Sequence, residues 1–233
     1  EPARRNEEQG NGAVKSATTA ELVTYLTTNK SFYIPFYLAL GSMSVLLFAI
    51  LSWVPTMLAR EQGYSTSDAG YIFGLVGIVT GLVGTFLWPQ LAARVDRGGS
   101  GIGFLLMILA CIIIGSLGSF IAMAFGILAL LFIGLALAMM TFPPVNTALS
   151  SLLIQGFGPA SMRARLIALN ILVINLFGYT IGPQFIGAYV DAGEGNPISE
   201  GIAWLAAFAG PIAAFCLFLA HRAFGRTTAP VTT

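Results

Sequence analysis

Apolar residues run along this chain in blocks too long for a soluble fold. Uninterrupted by any charged side chain are residues 31–59, 69–93, 98–162, 166–190 and 201–221. A bilayer core about 30 Å thick needs about 20 apolar residues per helix, so four of these blocks are one span each. The 65-residue block is far too long for one helix and must fold back on itself. Gly115-Ser116-Leu117-Gly118-Ser119 interrupts its Leu/Ile run with glycine and serine, which predicts the turn there. The resulting expectation is an all-α membrane protein with six transmembrane helices, at roughly 31–58, 68–92, 101–117, 120–153, 165–190 and 201–221. Run length and the absence of alternating polar positions exclude a β-barrel.

Charge placement gives an independent reading of the same topology. On six spans, ten of the 11 basic residues fall on one side: Arg4, Arg5, Lys15, Lys30, Arg94, Arg97, Arg163, Arg165, Arg222 and Arg226. Only Arg60 falls on the other, and cytoplasmic loops collect Lys and Arg, so both termini are expected to be cytoplasmic. Trp53, Tyr64, Tyr189 and Trp204 fall near the outer boundary and Trp88 near the inner one, as interfacial aromatics do. Residues 1–30 read as a cytoplasmic linker, 31–221 as the bundle and 222–233 as a cytoplasmic tail. Thr18-x-x-Glu21 is a capping-box pattern that opens either a short interfacial helix or a simple linker turn.

Composition closes off several function classes. Only 9% of residues are charged and 56% are hydrophobic, which leaves too few charges to cover a water-facing surface. A net charge of +1 with no dense basic run argues against nucleic acid. The two cysteines, Cys111 and Cys216, lie inside apolar runs and suggest neither a disulfide framework nor a metal knuckle. No metal or cofactor is expected. A membrane serine protease needs a general base, yet the only histidine, His221, sits at the inner boundary. The single Asn-Pro pair, Asn196-Pro197, lies in an outer loop, which excludes a water channel built on mid-membrane Asn-Pro-Ala loops.

Every acidic and basic residue lies in a loop or at a span end, so the chain carries no proton carrier or voltage sensor of its own. Its in-membrane features are subtler. Gly70, Gly74, Gly77, Gly81 and Gly84 fall within an arc of about 80° on the second span, a stripe for close helix packing or for a sliding contact. Pro143-Pro144 frees the carbonyls of Met139 and Met140. Asn146 and Ser150 follow about 40° apart, which fits a kinked helix facing a cavity, or a buried kink satisfied by Thr141 or Thr147. Tyr37, Gly41, Ser44 and Ser52 form a polar stripe on the first span, and Asn175, Gly178, Tyr179 and Gly182 another on the fifth. Asn170 is about 140° from Asn175, so the two cannot share a cavity. The third and sixth spans have little polarity and are expected to be peripheral and lipid-facing.

Short motifs occur in a telling order. Trp53-x-Pro55-x-x-Leu58, then Gly63-Tyr64-Ser65 and Ala69-Gly70, resembles the seventh-to-eighth helix region of major facilitator superfamily transporters. Asp96-Arg97-Gly98-Gly99 is similar to the core of that superfamily's cytoplasmic loop motif, although Ala92 replaces its leading glycine and Ser100-Gly101 its basic pair. Pro159-x-x-Met162-Arg163-Ala164 resembles the loop before the eleventh helix, and Gly178-x-x-x-Gly182-Pro183-x-x-x-Gly187-x-x-x-Asp191 that helix itself. Glu1-Pro2-x-Arg4 is similar to the segment after the sixth helix, and the run Leu172–Gly178 resembles Spinster-like transporters and, less closely, organic anion symporters.

The resemblance implies one six-helix half-bundle of a major-facilitator-type transporter, the C-terminal half, rocking against an N-terminal half around a midplane site. Its solute would be small and organic, anionic or lipid-like, and the partner half would supply coupling carboxylates. Tyr37, Ser44, Asn146, Asn175 and Tyr179 are then the solute-facing candidates. Pro143, Pro144, Gly182 and Pro183 are the bending points, and Asp96, Arg97 and Arg163 the inner-face contacts. A self-sufficient six-helix homodimeric carrier and a non-transporting membrane assembly or receptor module remain the alternatives.

Overall fold

A computed structural model of the chain describes residues 17–96, 98–193 and 195–227. The described residues are helical apart from short connections. α1 (Thr19–Thr28) is a short helix ahead of the bundle, followed by α2 (Lys30–Glu61), α3 (Thr66–Val95) and α4 (Ile102–Ala124). α5 (Leu128–Pro144) passes through a π-helical turn (Val145–Leu149) into α6 (Ser150–Phe157), and α7 (Arg163–Asp191) and α8 (Ile198–Thr227) complete the fold. With α5, the π turn and α6 counted as one segment, six helical segments among the described residues are long and apolar enough to cross a membrane.

Local chemistry sets the boundaries. Thr18 forms the expected capping box: its hydroxyl accepts from the Glu21 amide at 3.3 Å and its own amide donates to the Glu21 carboxylate at 2.6 Å. Those bonds hold the Glu21 carboxyl below its ordinary pKa. The Ala17 amide donates to the Ser161 carbonyl at 3.2 Å, which ties α1 to the turn before α7. Gly63 has φ +73°, a left-handed conformation that ends α2, and Ser65 caps α3 by accepting from the Asp68 amide at 3.1 Å.

The expected turn at Gly115–Ser119 is wrong. α4 runs straight through it to Ala124, and the reversal comes at Phe125-Gly126-Ile127, with Gly126 at φ +63°. The third and fourth spans are therefore 102–124 and 128–157. The glycines break nothing because they are where α4 meets α5. A Cβ on Gly134 would stand 2.1 Å from the Gly118 carbonyl oxygen, and one on Gly115 would stand 2.4 Å from the Phe142 ring. In a membrane helix small residues mark such crossings, and Ser119 returns its hydroxyl to the Gly115 carbonyl at 2.7 Å.

α2 is the centre of the bundle, packed by α7 and α8, while α4 lies between α5 and α8 and α3 rests on α5. Within this chain the third and sixth spans, α4 and α8, are not the least buried ones. In its most apolar stretch α3 has only 6% of its residues buried and α7 28%, against 44% for both α4 and α8. Apolarity alone does not set burial, because the glycine-rich α3 and the asparagine-bearing α7 are the ones with fewest neighbours in this chain.

Candidate functional site

The proline pair creates the site. With no amide hydrogen on Pro143 or Pro144, the span cannot close its ladder there and relaxes into the π turn at Val145–Leu149. The Met140 carbonyl freed by Pro144 is answered by a neighbouring helix: the Trp88 indole of α3 donates to it at 2.9 Å. Gly84, one turn earlier on α3, makes this possible, since a Cβ there would lie 1.9 Å from the same oxygen. The Thr147 hydroxyl donates to the Pro143 carbonyl at 2.8 Å, and Thr141 bonds back to Leu137 at 2.8 Å.

The π turn aims Asn146 into the bundle, where its amide donates to the Ser44 hydroxyl of α2 at 3.1 Å. Ser44 passes its own proton to the Leu40 carbonyl at 2.6 Å. One turn on, the Ser150 hydroxyl donates to the Asn146 carbonyl at 3.2 Å and accepts from the Asn170 amide of α7 at 3.0 Å. Ser44, Asn146, Ser150 and Asn170 thus form a buried polar ladder across three spans, and the Asn170 Oδ1 at its end has no partner. Spacing within the chain put Ser150 on the Asn146 face but did not reveal its bond to Asn170. The signal for Asn170 was that it points away from Asn175, and it does.

Beside the ladder is a cavity of about 250 Å³. Phe48 of α2, Pro143, Asn146 and Thr147 of the broken span, and Asn175 of α7 line it. Leu51, Thr147 and Ile171 at its edge are exposed, so it opens to the outside of the chain. Two of the five solute-facing candidates, Asn146 and Asn175, therefore meet in one cavity. Asn146 offers it a buried amide, and Asn175 bonds only to its own helix, at the Ile171 carbonyl 2.8 Å away. Ser44 stands behind Asn146 and orients it. Tyr179 is 63% exposed and lies against Phe48, with ring centroids 4.1 Å apart. Tyr37 does not face a cavity: it is buried, stacks on Tyr33 and donates to the Leu166 carbonyl at 3.2 Å.

Gly182 is a crossing point, where a Cβ would stand 2.2 Å from the Val45 carbonyl of α2. α7 is helical through Pro183, whose carbonyl accepts from the Trp53 indole at 3.0 Å. The glycine stripe of α3 divides in two. Gly84 is tightly packed and Gly77 and Gly81 only brush Met139, while Gly70 and Gly74 meet nothing. Asp96 closes its own loop, accepting from the Gly101 amide at 2.8 Å and the Ser100 hydroxyl at 2.9 Å. Burial pushes its pKa up, but the bonds from Gly101, Ser100 and Gly103 outweigh it and hold the carboxyl below its ordinary value of 3.8. Arg163 donates to the Gly158 carbonyl at 2.9 Å, and Arg97 lies outside the described residues. Among the described residues no three His, Cys, Asp or Glu side chains gather as a metal site would require.

The chain is similar to known proteins. Protein spinster homolog 3 of Danio rerio is 27% identical over 217 residues, covering 82% of this chain and 40% of that protein. The fold matches the crystal structure of a bacterial homologue of the human lysosomal transporter Spinster, in an inward-facing and unoccupied conformation, with a TM-score of 0.71 at 18% identity. That match covers 97% of this chain and 55% of the solved one, so the chain spans about half the length of these relatives. A model of the Major Facilitator Superfamily matches residues 1–183. With six apolar helices among the described residues and that match over most of its length, the chain belongs to the Major Facilitator Superfamily.

Proposed function

We propose that the chain serves secondary active transport of a small organic solute by alternating access, as the C-terminal half of a twelve-helix transporter with both termini cytoplasmic. The cavity at the broken span carries this reading. Asn146 and Asn175 offer it neutral donors and acceptors, and Phe48 and Pro143 offer apolar walls, a combination that suits an amphiphilic organic solute. Such a site belongs between two bundles that rock past each other. The ten-to-one basic asymmetry supports the orientation. Charged side chains lie only in loops or at span ends, so the coupling group belongs to the partner half.

Solute flux into proteoliposomes tests this, with the chain alone and with an N-terminal half of the same superfamily protein, with and without a pH gradient. Expected are no saturable flux from the chain alone, flux from the pair, and about tenfold weaker apparent affinity in Asn146→Ala or Asn175→Ala, since each loses a hydrogen bond to the solute. Gradient-driven, saturable transport by the lone chain overturns the half-transporter reading in favour of a homodimeric carrier. A cysteine at Gly99 that labels from outside intact cells overturns the orientation.

A further inference from the structure

The seam between α4 and α8 lies away from the site just described, and two cavities follow it. One, of about 330 Å³, has Ile113, Leu117 and Phe120 of α4 facing Ala206, Gly210 and Ala214 of α8. The other, of about 730 Å³, lies toward the start of α8 and includes Pro197, Glu200 and Trp204. Phe120 and Ala207 line both, so the two are one continuous groove. Small residues on α8 carve it against large ones on α4. From Glu200 to Ala214 it extends about 21 Å along the helix axis, more than the ~15 Å of hydrocarbon in one leaflet.

The ends of the groove differ in chemistry. The inner stretch is wholly apolar apart from Ser116. The mouth holds the Glu200 carboxylate, which shares a hydrogen bond with Tyr189, and the Trp204 ring, stacked on Phe208 with centroids 6.0 Å apart. Glu61 already accepts from the first amides of α8, Ile198 and Ser199, so that helix start offers no anion site. Glu61, Asp68 and Asp191 lie at the same end of the bundle, with Arg60 the only base there among the described residues. An anionic headgroup meets repulsion at this mouth, whereas an ammonium group meets a carboxylate and an aromatic face.

We infer that this groove binds one bilayer phospholipid with an ammonium headgroup, its acyl chain along the α4–α8 seam and its headgroup at Glu200 and Trp204. The juxtaposition of a leaflet-length apolar groove with an acidic, aromatic mouth is what selects it. This rests on the membrane-embedded fold and is independent of the transported solute.

The test uses the full chain in nanodiscs containing phosphatidylcholine or phosphatidylglycerol with a photoactivatable acyl chain, the labelled residues being mapped by mass spectrometry. Expected is labelling of Ile113–Phe120 and Ala206–Ala214 at least about fivefold above that around Phe86, an exposed residue on α3, with the choline lipid favoured over the glycerol lipid by a similar factor. Glu200→Gln is expected to erase the headgroup preference and keep the labelling. Ala207→Trp, which fills the groove, is expected to bring the labelling down to the Phe86 level. Uniform labelling of α3 and α8 in the unmodified chain, or equal labelling by both lipids, overturns the proposal without recourse to any variant.

Discussion

α2 and α3 are two long helices of nearly equal hydropathy, 2.1 and 1.9 over their most apolar stretches, yet 67% of the first stretch is buried and 6% of the second. α3 carries a row of glycines at helix-face spacing, whereas α2 has one glycine of its own, Gly41, and meets two more on α7. Those on or against α2 are filled: Gly41 lies against Phe177, Gly178 against Phe48 and Gly182 against the Val45 carbonyl. On α3 only Gly84 is in tight contact. Hydropathy therefore identifies a span and says nothing of what surrounds it. A small-residue stripe marks a surface that can be approached closely, and whether anything approaches is a property of other segments.

The largest effect is expected where a glycine opposes backbone. Gly182→Leu has no room at the Val45 carbonyl, which cannot swing aside as a side chain can, so α2 and α7 must separate. Overpacking of this kind costs about 1–3 kcal/mol or more, and most of the protein is expected to be lost from the folded, monodisperse fraction in detergent. Folded Gly182→Leu protein at wild-type yield would show that the α2–α7 crossing is looser than drawn.

A middle-sized effect is expected where α3 packs tightly on α5, beside Gly84. Trp88→Phe removes the donor to the Met140 carbonyl and leaves that oxygen, already freed by Pro144, unsatisfied. The expected loss is about 1–3 kcal/mol, read as a lowered unfolding midpoint. No shift would mean that another donor reaches the oxygen and that α3 is held to α5 by apolar contact alone.

Smaller still is the loop that joins α3 to α4. The folded-state pKa of Asp96 is depressed, so its contribution is present at pH values above its ordinary value of 3.8 and is lost as pH falls through the lower folded value. Asp96→Asn is expected to melt slightly below the wild type at pH 7, with the difference vanishing in acid. A difference that persists unchanged at pH 3 would assign the effect to shape and not to the carboxylate.

These outcomes bear on what could be read from the chain itself. Six spans, the capping box at Thr18 and the kink at Pro143-Pro144 were legible, because run length and missing amide hydrogens act within one helix. The meeting of Asn146 with Asn175 was legible in part, because each sat on a polar stripe. The bond from Asn146 to Ser44 joins residues 102 positions apart, and nothing local announces it. The misplaced turn has a physical cause as well. Gly115 and Gly118 read as breakers by the habits of water-soluble chains, but in a membrane helix the same residues are contact points.

The least expected change is the most informative about the open half of α3. Gly74 has nothing within 4 Å of its would-be Cβ, and Gly70 likewise. Leucine at either position is expected to leave the unfolding midpoint of this chain within ~0.5 kcal/mol of wild type, as surface substitutions do, helped by leucine's better helix propensity. The proposed partner half gives these positions a second readout. If its helices approach α3 along the glycine stripe, a leucine there forces the backbones apart, and association of the two halves should weaken while each half stays folded. Co-purification of the N-terminal half with tagged Gly74→Leu, compared with wild type and with Val83→Leu on an exposed part of the same helix, separates the cases. Loss confined to Gly74→Leu would make the open stripe an interface between halves. Undiminished association in both variants would mean that the open stripe of α3 faces lipid and that the halves meet elsewhere, with α7 as the next helix to probe.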